Sequence, residues 1–214
     1  MNRIEENGRI QLRKKPQQER SIQRVDAIIA AASELIGKYG VNGMKMTDLA
    51  QLAGVPIGSV YQYFPEKAAI VKALFDRHAT GVQAMTTHTF SDVTSLEQAV
   101  GKVRMMIDWY YTKYREDPIY MAVWLGTETD RDLLRLNIIH SNRVGVIFRE
   151  AVERFLPEGH GIDLEARFNM LSHLIGASIR LAVMNEDALA RRMLAEWKAV
   201  VSEMLFAPAI APIA

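Results

Sequence analysis

Within the eleven residues from Ile57 to Lys67 stand an isoleucine, a serine, a glutamine, two tyrosines and a lysine. These are side chains that read or grip a DNA duplex. Gln62 carries the paired donor and acceptor that match an adenine edge, and Ile57 offers apolar contact to a thymine methyl. Ser59 can bond either a base or a phosphate. No catalytic chemistry is laid out so clearly. General acid–base work needs convergent carboxylates or a His–carboxylate pair. Glu128, Asp130 and Asp132 cluster, but at a helix start, where acids favour the helix dipole. There is no G-x-S-x-G, no phosphate loop and no H-E-x-x-H. The histidines are scattered, and the absence of cysteine excludes disulfides, thiolate metal sites and a cysteine nucleophile. Neither an enzyme nor a metal or cofactor site is expected.

Such DNA-facing side chains need a short, rigid helix to present them. The segment from Thr47 to Lys67 reads as a short helix, a tight turn at Gly54, where a positive φ allows a sharp exit, and a second short helix over about 56–64. Ala50 is small, so two backbones can cross close above it. Leu49, Ala53, Val55 and Val60 are apolar where the pair must seal against a third helix. Pro56 suits a first helical position, since its missing N–H would lack a partner there. Together these describe a helix-turn-helix, whose second helix enters the major groove. A plain αα-hairpin would explain the apolar positions. It would not explain Ser59, Gln62 and two tyrosines on the other side.

The run Ala50-x-x-Ala53-Gly54-Val55-x-x-Gly58-x-Val60-Tyr61-x-Tyr63-Phe64-x-x-Lys67 resembles the signature of the tetracycline-repressor (TetR) family of bacterial regulators. The close likeness covers about residues 20–77, and beyond it only length and helical layout are similar. The resemblance implies an all-α homodimer, with an N-terminal three-helix helix-turn-helix domain and a C-terminal helical domain for ligand binding and dimerisation. It also implies that Tyr61, Tyr63 and Lys67 hold backbone phosphate, which positions the helix without reading sequence. The alternative for the two tyrosines is that their rings only pack the domain. With Lys45, Thr47, Pro56, Ile57, Gly58, Ser59 and Gln62 they make up the expected DNA-contacting set. Two residues depart from the family pattern. Ile57 stands where Lys is common, removing a charge from the DNA surface. Lys45 stands where Ser or Thr is usual and cannot accept a bond from the orphan N–H groups of the helix start. It either meets a phosphate or stays solvated.

The chain of 214 residues is long enough to bury one large or two modest cores. Its net charge of +1 hides an asymmetry. Residues 1–77 hold twelve Lys/Arg against eight Asp/Glu, and the remainder holds fourteen against seventeen. A basic head on a slightly acidic body suits binding to nucleic acid at one end. No apolar run is long enough to cross a membrane, so a cytoplasmic protein is expected. Residues 1–20 read as a flexible basic arm. Its Arg9, Arg13, Lys14, Lys15 and Arg20 either reach an adjacent minor groove or give only nonspecific attraction. The DNA-binding domain then runs over 21–77, and the sensing and dimerisation domain over 78–214. Helices are expected near 21–39, 66–87, 94–115, 118–127, 130–156, 163–185 and 187–206, with no convincing strand.

The second domain should sense a small, mostly apolar molecule. Met85, Met106, Trp109, Tyr110, Met121, Trp124 and Phe148 are Met and aromatic side chains on helices that surround a cavity in the resembled family, and such side chains suit an adaptable pocket. Met105 lies on the same helices, and Asn137, His140 and Ser141 could add polar contacts. Core packing is the plainer role for any of these. Met193, Leu194, Trp197, Val201 and Met204 form a stripe at three- and four-residue steps. Small residues between large ones, as at Leu174, Ala177, Ser178 and Leu181, allow close helix approach. The resemblance makes these last two helices a dimer interface, where burial within one protomer is the alternative. The expected function is therefore a repressor on a palindromic operator in double-stranded DNA, released by a small-molecule effector. The alternative is a ligand-independent or partner-controlled helix-turn-helix protein.

Overall fold

In the computed structural model, residues 9–13 and 18–207 are described, and all their regular structure is helical. Among the described residues nine α-helices follow one another: α1 (Glu19–Gly43), α2 (Met46–Leu52), α3 (Ile57–Tyr63), α4 (Lys67–Phe90), α5 (Leu96–Glu116), α6 (Pro118–Glu128), α7 (Arg131–Val152), α8 (Leu164–Val183) and α9 (Asp187–Met204). The breaks lie where turn chemistry demands them. Gly40 breaks α1 with φ 70° and ψ 170°, at the stop expected from the sequence, and one further short helical stretch to Gly43 follows the kink. Asp117 caps α6 by accepting from the Ile119 N–H, ahead of Pro118. Beyond α7 the chain tightens into a 3₁₀ turn, Glu153–Phe155, in place of a continued helix. Two compact units emerge. One holds residues to Thr80 together with Asp117–Asn137, and the other holds Gly81–Glu116 and the residues from Ile138 on.

The first unit is built on α1. Ile28, Ile29, Ala32 and Ile36 turn one face of that helix inward, while Ile22 in its opening turns stays exposed. Residues 117–137, expected in the second domain, join this unit through α6. Gly126 makes that possible, since a Cβ there would sit 2.7 Å from Val41 Cγ2. Trp124 meets Phe75 edge to face, with centroids 5.2 Å apart. Residues 9–13, expected as part of a flexible arm, pack here with Ile10 2% exposed. Residues 1–8 and 14–17, which carry Lys14 and Lys15, lie outside the described residues.

In the second unit α5, α8 and α9 pack on one another, with the latter part of α7 against α8. Gly145 is the contact point, because an added Cβ would lie 2.9 Å from the Phe168 carbonyl oxygen. Phe90, Phe148 and Phe168 form an aromatic chain through the core, with centroids 4.8 and 6.4 Å apart. Arg154 Nη2 donates to the Val93 carbonyl at 2.6 Å, and Lys198 pairs with Asp108 at 2.7 Å. Among the described residues no helix is long and apolar enough to cross a membrane.

Candidate nucleic-acid interface and sensor region

The turn between α2 and α3 takes the form its residues require. Gly54 has φ 65°, and its N–H donates to Gln51 O at 3.1 Å while Val55 N–H donates to Ala50 O at 3.0 Å. Pro56 stands one position earlier than expected, as the residue before the helix, where its carbonyl accepts from Ser59 N–H at 2.8 Å. Lys45 caps α2 without a side-chain bond, so the first turn relies on Asp48, whose carboxylate accepts from the Thr47 hydroxyl at 3.1 Å. Leu49, Ala50, Val60 and Phe64 are buried and hold the two helices in a fixed frame.

That frame sorts the candidate DNA contacts. Ile57 is 41% exposed, and Gly58, Tyr61 and Gln62 are exposed beside it, one continuous face at positions i, i+1, i+4 and i+5 of α3. Ser59 is half-buried at its edge, and Lys45 and Thr47 are exposed at the start of α2. Lys67 is half-buried and donates to the Asn42 carbonyl at 3.3 Å. Tyr63 is the correction. It is 3% exposed, so its ring serves the core and not a phosphate. Tyr61 and Tyr63 are two residues apart, about 200° around the helix, and only one of them can face outward.

The sensing candidates divide between the two units. Met121, Trp124 and Asn137 belong to the first unit, where Asn137 Nδ2 donates to Thr127 Oγ1 at 3.4 Å. Met85, Met106, Trp109, Tyr110, His140 and Phe148 belong to the second. There Met106, Tyr110 and Phe148 are buried, Met85 and Trp109 are half-buried, and Met105 is exposed. Trp109 and Tyr110 stack edge to face at 4.9 Å. His140 is 4% exposed, and its Nδ1 lies 3.3 Å from Gln83 Nε2. Burial, with Arg143 and His173 nearby, pushes its pKa down to about 4. The ring is therefore neutral, and Nδ1 accepts from the Gln83 amide. Sequence reasoning missed a cleft on α7 and α8, lined by Ile139, Asn142, Arg143, Arg149, Phe168 and Asn169 among others. Arg149 Nε is buried there without a hydrogen-bond acceptor. Gly145 inside a helix was the one signal of that close crossing. No group of three or more His, Cys, Asp or Glu is placed to hold a metal ion among the described residues.

The dimer candidates also divide. On α8, Leu174, Ala177 and Leu181 are exposed, with Met170 and Met184 extending the line. On α9, Met204 is exposed and Met193 and Trp197 are half-buried. Ser178 is half-buried, its hydroxyl donating to Ile175 O at 2.8 Å. Leu194 and Val201 are corrections. Both are buried inside the protomer, Val201 at 1% exposure, because their side of α9 packs on α5 and α8.

Residues 28–74 match the family described as bacterial regulatory proteins, tetR family, and residues 96–209 match the tetracyclin repressor-like C-terminal domain. An uncharacterized HTH-type transcriptional regulator in the lacX 3' region of Lactococcus lactis is 26% identical over 102 residues, covering 47% of this chain and 50% of that protein. The HTH-type transcriptional regulator TtgR of Pseudomonas putida is 45% identical over 49 residues, 23% of each chain. The chain thus spans half the length of the first of these relatives and less of the second. In fold it is similar to FadR of Bacillus subtilis, solved in complex with stearoyl-CoA, with TM-score 0.60 and 19% identity over 87% of this chain and 100% of that one.

Proposed function

The chain belongs to the TetR family of bacterial regulatory proteins, and from that premise we propose that it is a sequence-specific DNA-binding transcriptional regulator, a repressor released by a small, mostly apolar ligand. The observation that carries the reading is the exposed face of α3. Ile57 and Gln62 stand there in groove-reading positions, while Leu49, Ala50, Val60 and Phe64 lock the helix beneath them. A side chain reads a base edge only if its backbone is held still, and this packing supplies that.

The regulator works as a homodimer through α8 and α9. The support is the exposed line Met170, Leu174, Ala177, Leu181 and Met184, a contiguous apolar face at steps of three and four residues. Two copies of α3 then read a palindrome whose half-sites lie one or more helical turns apart. Effector binding belongs to the second unit, where Met106, Tyr110 and Phe148 are buried, Trp109 is half-buried beside Tyr110, and Gln83–His140 is a polar contact within the same unit. FadR of Bacillus subtilis holds an acyl-CoA in a similar fold, which makes long-chain amphipathic molecules the first to screen. Selection of duplexes from a random library by the purified protein tests the reading. An enriched palindrome is expected, released when an apolar effector is added. Failure to enrich any sequence would overturn it.

A further inference from the structure

Residues 9–13 are fastened to the first unit at three points. Arg9 is the first. Its Nη1 donates to Glu66 at 2.8 Å, and its Nη2 donates to Asp130 at 2.8 Å and to Asp132 at 2.9 Å. A guanidinium facing three carboxylates has no charge left to offer a phosphate. Ile10 is the second point, buried against Val71 and Leu133 with Val41, Ala68 and Leu136 around them. The third is the Arg13 N–H, which donates to the Tyr63 carbonyl at 2.9 Å. Tyr63 is the last residue of α3, and its carbonyl is one of the helix-end acceptors that no later helical N–H can reach. The strap therefore ends on the recognition helix itself.

The two arginines of this strap stand in opposite circumstances. Arg9 is half-buried and neutralised, whereas Arg13 is exposed and makes no ion pair among the described residues. Its anchor lies within two residues of Tyr61 and Gln62, on the exposed face of α3. A guanidinium is always charged, and its planar fork matches phosphate oxygens.

We propose that Arg13 is a DNA contact: the strap holds its guanidinium at the C-terminal end of α3, where it takes a backbone phosphate beside the bases that the helix reads. Arg9 and Ile10 act as the anchor and do not touch DNA. The contact adds affinity and carries no base information. The assignment rests on the DNA-binding reading above.

The test uses the duplex enriched by the wild-type protein, with affinity measured by fluorescence anisotropy between about 50 and about 200 mM KCl. Arg13→Ala should reduce the slope of log affinity against log salt by about 0.9 per protomer, which corresponds to roughly 30-fold weaker dimer binding near 0.15 M salt. Base preferences should stay as they were, and Arg13→Lys should keep most of the slope. Arg9→Gln should reproduce the loss by releasing the strap, and adding Arg13→Ala to it should cost little more. An unchanged slope in Arg13→Ala overturns the contact while leaving the DNA-binding reading intact. Additive losses from Arg9→Gln and Arg13→Ala overturn the strap as the cause. A wild-type protein that enriches no duplex removes both.

Discussion

The Lys67 ammonium donates to the Asn42 carbonyl at 3.3 Å, which ties the first residue of α4 to the last turn of α1. The bond is long and exposed, so a DNA phosphate can take the same ammonium at little cost. Lys67→Ala should cost less than about 1 kcal/mol of stability. It should weaken binding on every sequence and lower the salt slope by about one per protomer. Thermal unfolding alongside gel-shift titration separates the two effects. Unaltered DNA affinity would remove Lys67 from the interface.

Gln62 and Tyr61 are exposed neighbours on α3 with different expected roles. Gln62→Ala should relax preference at one or two base pairs, losing about 1–3 kcal/mol of discrimination at each. Tyr61→Phe removes only a hydroxyl and should weaken all sequences evenly. Sequencing the duplexes that each variant enriches gives the answer. Selectivity retained by Gln62→Ala would take this residue out of base reading.

Leu181 on α8 is 54% exposed, while Val201 on α9 is turned into the protomer. Leu181→Glu should leave helix content intact but yield monomers in sedimentation velocity. Operator affinity should then drop by about a hundredfold or more, because two half-sites no longer bind as one linked event. Val201→Glu should instead unfold the protein, since an unpaired charge buried among apolar groups costs several kcal/mol. A dimer that survives Leu181→Glu unchanged places the interface elsewhere.

His140 makes stability depend on pH. Its folded pKa of about 4 lies below the ordinary histidine value of 6.5, so the unfolded chain binds the extra proton first. Stability from this group is fully present above about pH 6.5 and falls as the pH drops toward 4. Between pH 7 and 5 the loss is about 2 kcal/mol by linkage. Burial also lowers the pKa of His173, which adds a loss of the same sign. Denaturant unfolding of the wild type and His140→Asn at both pH values measures the difference. Parallel pH dependence in the two proteins would show that His140 is not held neutral.

Helix breaks were legible in the sequence because local chemistry decides them. Gly40 and Gly54 take positive φ, where a Cβ is strained, and Pro118 opens α6 behind its Asp117 cap. The helix-turn-helix was legible for the same reason, since its frame spans fewer than twenty residues. The cleft on α7 and α8 was not legible. Its arginines and asparagines look like any solvated helix face until Gly145 meets the Phe168 carbonyl.

The amino-acid sequence alone indicated which segments are helical, roughly where they break, and which short helix is the candidate reader of a groove, because those outcomes follow from residues a few positions apart. Tertiary structure decided which member of each similar pair faces in. Tyr63 closes the core while Tyr61 stays outside, and Val201 is buried while Leu181 is bare. Arg9 is spent on Asp130 and Asp132, 121 and 123 residues away, while Arg13 keeps its charge. No local propensity encodes such choices. They depend on which helix faces come together when the chain closes, and a partner more than a hundred residues distant has no local signature.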